Sequence, residues 1–206
     1  MPEQKRKGQR FCLFGGTFDP IHDAHLRIAE EALRTFSLDS VLFIPAGNPP
    51  HKDPSAVTPY EDRFRMVEIA CAPYPQFAVS RLEAGEQRSY TINTLRQFRK
   101  ELSPDDELFF LIGADAFEEL KTWKDWREVV AMTEFIVVSR SGADYRVPEN
   151  ARVHQLPGLA LPVSSSTIRA RLAAGEPTPE LPIEVRRFIE ARGLYGFGTD
   201  RITGWP

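Results

Sequence analysis

Two histidines three residues apart, His22 and His25, stand just beyond a glycine pair in the stretch GGTFDPIHDAHL, Gly15 to Leu26. Histidines at that spacing can hold a metal, and glycines between a strand and a helix can admit a phosphate. At i and i+3 the two imidazoles share one face of a first helical turn. That turn carries unpaired N–H groups and the positive end of the helix dipole, which favour an anion. Imidazole N–H groups aimed at the same place add donors that are neutral or cationic near pH 7. Gly15 and Gly16 have no Cβ to keep a ligand off the backbone. A transition-metal site needs a further ligand, and only His51 and His154 remain, with no paired cysteines. The residues therefore suit a polyphosphate better than a metal. The stretch lacks the Lys-Ser/Thr of a P-loop and does not match G-x-G-x-x-G. Two histidines satisfied within a helix cap are the plain alternative.

The elements around this stretch must put it at a ligand crevice. RFCLFGG reads as a buried strand stopped by glycine. From His22 to Phe36 the residues Leu26, Ala29, Leu33 and Phe36 recur at helical spacing, and Ser40 to Pro45 is a second buried strand. Together these form a right-handed βαβ unit with parallel strands. Thr58, Pro59 and Glu61 predict an N-cap, a first helical residue and a closed capping box for the next helix. FAVSRLE reads as a strand, Thr91 to Leu102 as a helix, and ELFFLIG as a buried strand ending on Gly113. One helical pattern then runs through DAFEELKTWKDWREVVAM, followed by the strands EFIVVSR and ARVHQLP. VSSSTIRARLAAG and PIEVRRFIEARG predict two closing helices, with Gly175 and Gly193 at their C-terminal ends. The expected fold is α/β: a Rossmann-like open, mostly parallel sheet flanked by helices on both faces, with two C-terminal helices. In such a sheet ligands bind beyond the carboxyl ends of the strands, where Gly15 to His25 falls. A single domain over 10–197 is expected, between an N-terminal tail, 1–9, and a C-terminal tail, 198–206.

The 206 residues carry a formal net charge of −3, which excludes a broad basic footprint for nucleic acid. KRKGQR is short and reads as a solvated tail. No run approaches the length of a membrane span, and no secretory leader is evident. Cys12 and Cys71 are isolated in apolar segments, so a cytoplasmic protein with reduced thiols is expected.

GGTFDPIHDAHL resembles the G-x-F-x-P-x-H-x-x-H signature of the nucleotidyltransferases that transfer a nucleoside monophosphate from ATP or CTP. VSSSTIR, Val163 to Arg169, resembles the second signature of that superfamily. GNPPHK, SYTINTL, LIGADAFEELKTW, VVSR and LPIEVRRFIEARGLY are similar to nicotinate-nucleotide adenylyltransferases. The chain departs from that pattern at Ala24 (usually Gly), Asn93 (usually Asp) and Ser166 (usually Thr). The resemblance implies adenylyl transfer from ATP to nicotinate mononucleotide, giving deamido-NAD and pyrophosphate. It implies that His22, His25 and Arg169 act on the phosphates. ATP would lie against Gly15, Gly16, Thr17, Phe18, Gly113, Asp115, Ser164, Ser165 and Ser166. The mononucleotide would lie against Asn48, Lys52, Tyr90, Thr91, Trp123 and Arg140. Mg2+ would arrive with ATP, held mainly by phosphate and water, with no dedicated metal site on the protein. Read without the family, the serines could be only a helix cap, Asp115 an N-cap, Lys52 a solvated loop lysine and Trp126 a core residue. Nicotinamide mononucleotide as the preferred substrate, a sister phosphopantetheine adenylyltransferase or cytidylyltransferase, and a non-catalytic nucleotide sensor are the rival readings. A homo-oligomer is allowed by the sequence and not specified by it.

Overall fold

The computed structural model describes residues 8–49, 53–85, 87–139, 145–157 and 163–197. Most of both expected tails lies outside these ranges. Six strands run in chain order: β1 (Arg10–Gly16), β2 (Ser40–Pro45), β3 (Phe77–Val79), β4 (Glu107–Gly113), β5 (Glu134–Ser139) and β6 (Val153–Pro157). All pair in parallel in the order β3-β2-β1-β4-β5-β6. The helices are α1 (Asp23–Thr35), α2 (Tyr60–Cys71), α3 (Thr91–Phe98), α4 (Ala114–Glu118), α5 (Trp126–Met132), α6 (Ser165–Ala173) and α7 (Ile183–Arg192).

The side chains of β1, β2, β4 and β5 alternate between the two faces and are apolar on both, as a sheet covered twice requires. Cys12, Phe14, Val41, Phe43, Phe109, Leu111 and Ile136 meet α1, α2, α6 and α7 on one face. Leu13, Ile44, Leu108, Phe110, Ile112, Phe135 and Val137 meet α3, α4 and α5 on the other. Both cysteine thiols are buried, and burial pushes Cys71 up to about 12 and Cys12 higher still. No described helix is long and apolar enough to cross a membrane.

β1 is the strand on which the topology turns. The chain builds outward through β2 and β3, then returns to the other side of β1 for β4. The crevice of the sheet therefore opens between the ends of β1 and β4, at Gly16 and Gly113.

Three local expectations are corrected. The helix expected to be capped by Thr58 starts one residue later, at Tyr60 in place of Pro59, with Pro59 as its cap residue. The Thr58 N–H instead donates to Asp19 Oδ2 at 3.3 Å, and Glu61 pairs with Arg81 at 2.7 Å. β3 is three residues long, and the chain turns away after Val79. The single helical pattern after Gly113 is three pieces: α4, a 3-10 turn over Glu119–Thr122, and α5. Trp123 is extended at the break and Asp125 is left-handed, with φ 51°. The periodicity survives because Phe117, Leu120, Val129 and Val130 each reach the same sheet face from their own piece. At the other end of the chain, Gly193 closes α7 in the left-handed region with φ 60°, as expected.

Phe43 is fully buried, with its ring 5.3 Å from Phe14 and 5.7 Å from Phe18, so it supports the loop after β1 from below. Truncation at this site (Phe43→Ala) is expected to cost about 3–5 kcal/mol in urea denaturation, the range for removing a buried aromatic.

Candidate active site

The loop after β1 is held from several directions. Phe18 takes a left-handed conformation, φ 49°, which an aromatic residue adopts only under constraint. Its ring is buried edge-on against Phe14 and His25. The Asp19–Pro20 peptide is cis. His22 is the N-cap of α1, with extended backbone, and does not itself lie in the helical turn; His25 is three residues on. The rings nevertheless stack, with centroids 3.8 Å apart and planes 27° from parallel. The His22 N–H donates to His25 Nδ1 at 3.2 Å, one half of a capping box. An accepting Nδ1 carries no proton, so the His25 proton sits on Nε2 and is free to face a ligand.

Burial sets the charge of this pair. Desolvation lowers His22 to about 4, against a smaller opposite pull from Glu180. Desolvation, with His22 adding to it, lowers His25 well below its ordinary value. Both shifts favour neutral imidazoles at pH 7, the first of the two states the sequence left open.

The second signature folds back onto the first. Arg169 Nη1 donates to the Asp19 carbonyl at 2.7 Å, and Ser165 Oγ to the Pro20 carbonyl at 3.0 Å. Ser164 is the N-cap of α6, accepting from the Thr167 N–H at 3.2 Å, and its hydroxyl lies 2.9 Å from that of Ser166. The capping alternative thus holds for Ser164. Gly15 and Gly16 end β1, paired with Ile44 and Pro45, and Thr17 follows directly. Across the crevice, Gly113 is the N-cap of α4, and Asp115 lies exposed in its first turn rather than capping it.

A cavity of about 450 Å³ opens beside this, lined by Ser89, Tyr90, Thr91, Trp123 and Lys124 among others. Asn48 reaches it through a main-chain bridge to Arg88, with the Ser89 N–H donating to the Asn48 carbonyl at 3.0 Å. The structure thus gathers Asn48, Tyr90, Thr91 and Trp123 into one neighbourhood. Trp126 is half-buried against the α3–α5 core, close to its core reading. Lys52, His51 and Arg140 lie outside the described residues.

Three residues around the site were given no role by the sequence: Asp19 and Tyr195 lie within quoted motifs, and Arg63 lies outside them. Asp19 accepts from Tyr195 Oη at 2.6 Å. Burial, with Asp19 adding to it, holds the Tyr195 hydroxyl protonated far above its ordinary range. Arg63, 1% exposed, donates to main-chain carbonyls of three loops. In the sequence, Arg63 shares a helical face with Met66, Val67 and Ala70, which marks a cation on an apolar stripe.

The cytidylyltransferase-like family model matches residues 13–171. The Probable nicotinate-nucleotide adenylyltransferase of Solibacter usitatus is 49% identical over 186 residues, covering 90% of this chain and 99% of that protein. The one from Frankia alni is 46% identical over 187 residues, covering 88% and 97%. Among solved structures, Plasmodium falciparum nicotinic acid mononucleotide adenylyltransferase complexed with APC superposes with a TM-score of 0.76. It is 19% identical, with 93% of this chain and all of that one covered. Fold and site define a nucleotidyltransferase. The chain belongs to the nicotinate-nucleotide adenylyltransferases of the cytidylyltransferase-like family.

The depressed imidazoles link stability to pH. Between about 4 and 6.5 the unfolded chain binds a proton at His22 that the folded protein refuses. The associated stability is present above pH 6.5 and is lost as the pH falls toward 4. Urea denaturation across that window should show a flatter profile for His22→Gln than for wild type, by on the order of 1–3 kcal/mol at pH 4.

Proposed function

We propose that the protein transfers the adenylyl group of ATP to nicotinate mononucleotide, forming deamido-NAD and releasing pyrophosphate. The observation that carries this reading is the junction of the two signatures. Arg169 and Ser165 are bonded to the Asp19 and Pro20 carbonyls, immediately before the stacked histidines. The 49% and 46% identical relatives bear the name of this activity.

A phosphate oxygen of the mononucleotide, anionic at pH 7, attacks the α-phosphorus of ATP. The bond from that phosphorus to the bridging oxygen breaks, and pyrophosphate leaves with its electron pair. No proton need be removed from the nucleophile, so no general base is required. The work is alignment and stabilisation of negative charge. The Nε2–H of His25 and the ring of His22 donate to the phosphates, and Arg169 supplies fixed positive charge through the donors not spent on Asp19. Gly15, Gly16, Thr17 and Phe18 line the nucleotide by their backbone. The hydroxyls of Ser164 and Ser166 and the N–H groups at the start of α6 face the β- and γ-phosphates, and Ser165, its hydroxyl spent on the Pro20 carbonyl, takes part through its backbone. Gly113 and Asp115, at the end of β4, take the ribose.

On the mononucleotide side, Trp123 stacks on the pyridine ring. Asn48, Tyr90 and Thr91 surround its carboxylate end, and Lys52 and Arg140 meet its phosphate. Among the described residues no three His, Cys, Asp or Glu side chains converge as metal ligands. In this reading Mg2+ arrives with ATP, held mainly by phosphates and water, and would further neutralise the triphosphate. Residues 10–197 form one catalytic domain in this reading. Its buried thiols fit the reducing cytoplasm.

Single alanine replacements of His22 and His25 should each slow pyrophosphate release from ATP and nicotinate mononucleotide by about 10²–10³. A rate within about threefold of wild type would remove that histidine from the phosphate site. With ATP fixed, the rate with nicotinate mononucleotide should exceed the rates with nicotinamide mononucleotide and phosphopantetheine; the reverse order would transfer the proposal to the faster substrate.

A further inference from the structure

Arg63 is the largest fully buried side chain described, and no step of the proposed reaction uses it. Its Nη1 donates to the Thr17 carbonyl at 2.7 Å, in the loop that carries the histidines. Its Nη2 donates to the Ala46 carbonyl at 2.8 Å, with a longer contact to Gly47 at 3.4 Å, where the chain leaves β2. Its Nε donates to the Thr58 carbonyl at 2.8 Å. One planar guanidinium therefore sets the spacing of three loops.

Two of those loops lead to opposite halves of the site. Thr17 is on the ATP side. Gly47 runs into Asn48, whose bridge to Arg88 and Ser89 fixes the segment containing Tyr90 and Thr91. The third loop closes the figure. The Thr58 carbonyl accepts from Arg63 while its N–H donates to Asp19, whose other oxygen is held by Tyr195. Burial disfavours the charge of Arg63, and the Asp19 carboxylate counters that effect. A buried cation is a poor way to gain stability alone, because desolvation offsets much of its attraction. What it supplies here is a fixed distance.

We propose that Arg63 is a positioning residue that sets the separation between the ATP loop and the mononucleotide loop, and hence the approach of nucleophile to α-phosphorus. The Asp19–Tyr195 pair braces the far side. This rests on the proposed placement of the two substrates. A lysine offers one compact nitrogen and cannot reach all three carbonyls at their fork spacing. Each substrate should still find its own loop, but the two would no longer meet in line.

The test compares Arg63→Lys and Tyr195→Phe with wild type, at a temperature at least 10 °C below the Tm of each. Turnover is measured along with calorimetric affinities for a non-hydrolysable ATP analogue, nicotinate mononucleotide and deamido-NAD. Deamido-NAD occupies both halves at once and so senses their spacing. For Arg63→Lys, kcat should fall about 10–10²-fold, as for a displacement near 1 Å. The affinities for the separate halves should stay within about threefold, while that for deamido-NAD falls at least tenfold. The Tyr195 variant should move in the same direction by less. A kcat within threefold in folded Arg63→Lys would overturn the proposal, as would an unchanged affinity for deamido-NAD. If Arg63→Lys does not fold, unchanged kcat and deamido-NAD affinity in Tyr195→Phe overturn it. A wild type active only with another mononucleotide corrects the substrate reading instead, and the spacing test is repeated with that substrate.

Discussion

A loop proposed to hold a polyphosphate must keep its own carbonyl oxygens, the negative ends of its peptide dipoles, engaged elsewhere. Between Thr17 and Pro20 three carbonyls each meet a strong donor: Thr17 from Arg63, Asp19 from Arg169 and Pro20 from Ser165. The Asp19 carboxylate is likewise occupied by Tyr195 and the Thr58 N–H. These donors come from α2, from α6 and from the turn after α7. The two C-terminal helices therefore pack on the α1–α2 face of the sheet, where their polar ends reach the loop, and the Arg192–Asp62 ion pair at 3.0 Å joins α7 to α2. The sheet supplies the crevice, and the closing segment of the chain fixes its wall.

Neutral imidazoles divide the electrostatic work. Two stacked rings 3.8 Å apart in a dry setting would repel strongly if both were protonated, and their lowered pKa values avoid this. In the proposed reaction they act as directed N–H dipoles, while fixed charge comes from the Arg169 guanidinium. An arriving triphosphate favours the charged form of either ring. Positive charge at the histidines would then grow with the ligand that requires it and would not have to be stored beforehand.

Much of this was legible in the residues. Strict alternation with apolar residues on both faces specifies a doubly covered parallel sheet, and the glycine–histidine spacing locates its crevice. The misses have physical causes. Thr58 satisfies every local rule for an N-cap, but its N–H is claimed by Asp19, distant in sequence and adjacent in space. The break at Trp123 is hidden because the apolar period continues across it. Arg63 was signalled by a cation on an apolar face, yet its meaning lay in carbonyl oxygens, which no side-chain pattern reveals. The pairing of Ser165 with Pro20 was legible only as two separate signatures.

The glycines show where sequence and structure place the steric demand differently. A Cβ on Gly15 would meet Phe110 at an ordinary 3.5 Å, and one on Gly16 would press on the movable ring of Phe18 at 2.9 Å. A Cβ on Gly47 would fall 2.0 Å from the Glu83 carbonyl oxygen, a rigid main-chain atom. Of these three glycines the one with no room for a Cβ is thus Gly47, in GNPPHK, where the chain leaving β2 presses against the segment leading to Ser89. Nearby, Thr94 Oγ1 donates to the half-buried Glu83 carboxyl at 2.6 Å, anchoring that segment to α3. In the proposed arrangement, side-chain donors organise the ATP half, whereas backbone contact organises the mononucleotide half. Recognition built from backbone contact leaves little trace in side-chain identity, which is why the pyridine substrate is harder to read from residues than the phosphates are. Arg63 touches Thr17 on one side and Gly47 on the other, so it is the point at which those two modes of construction meet.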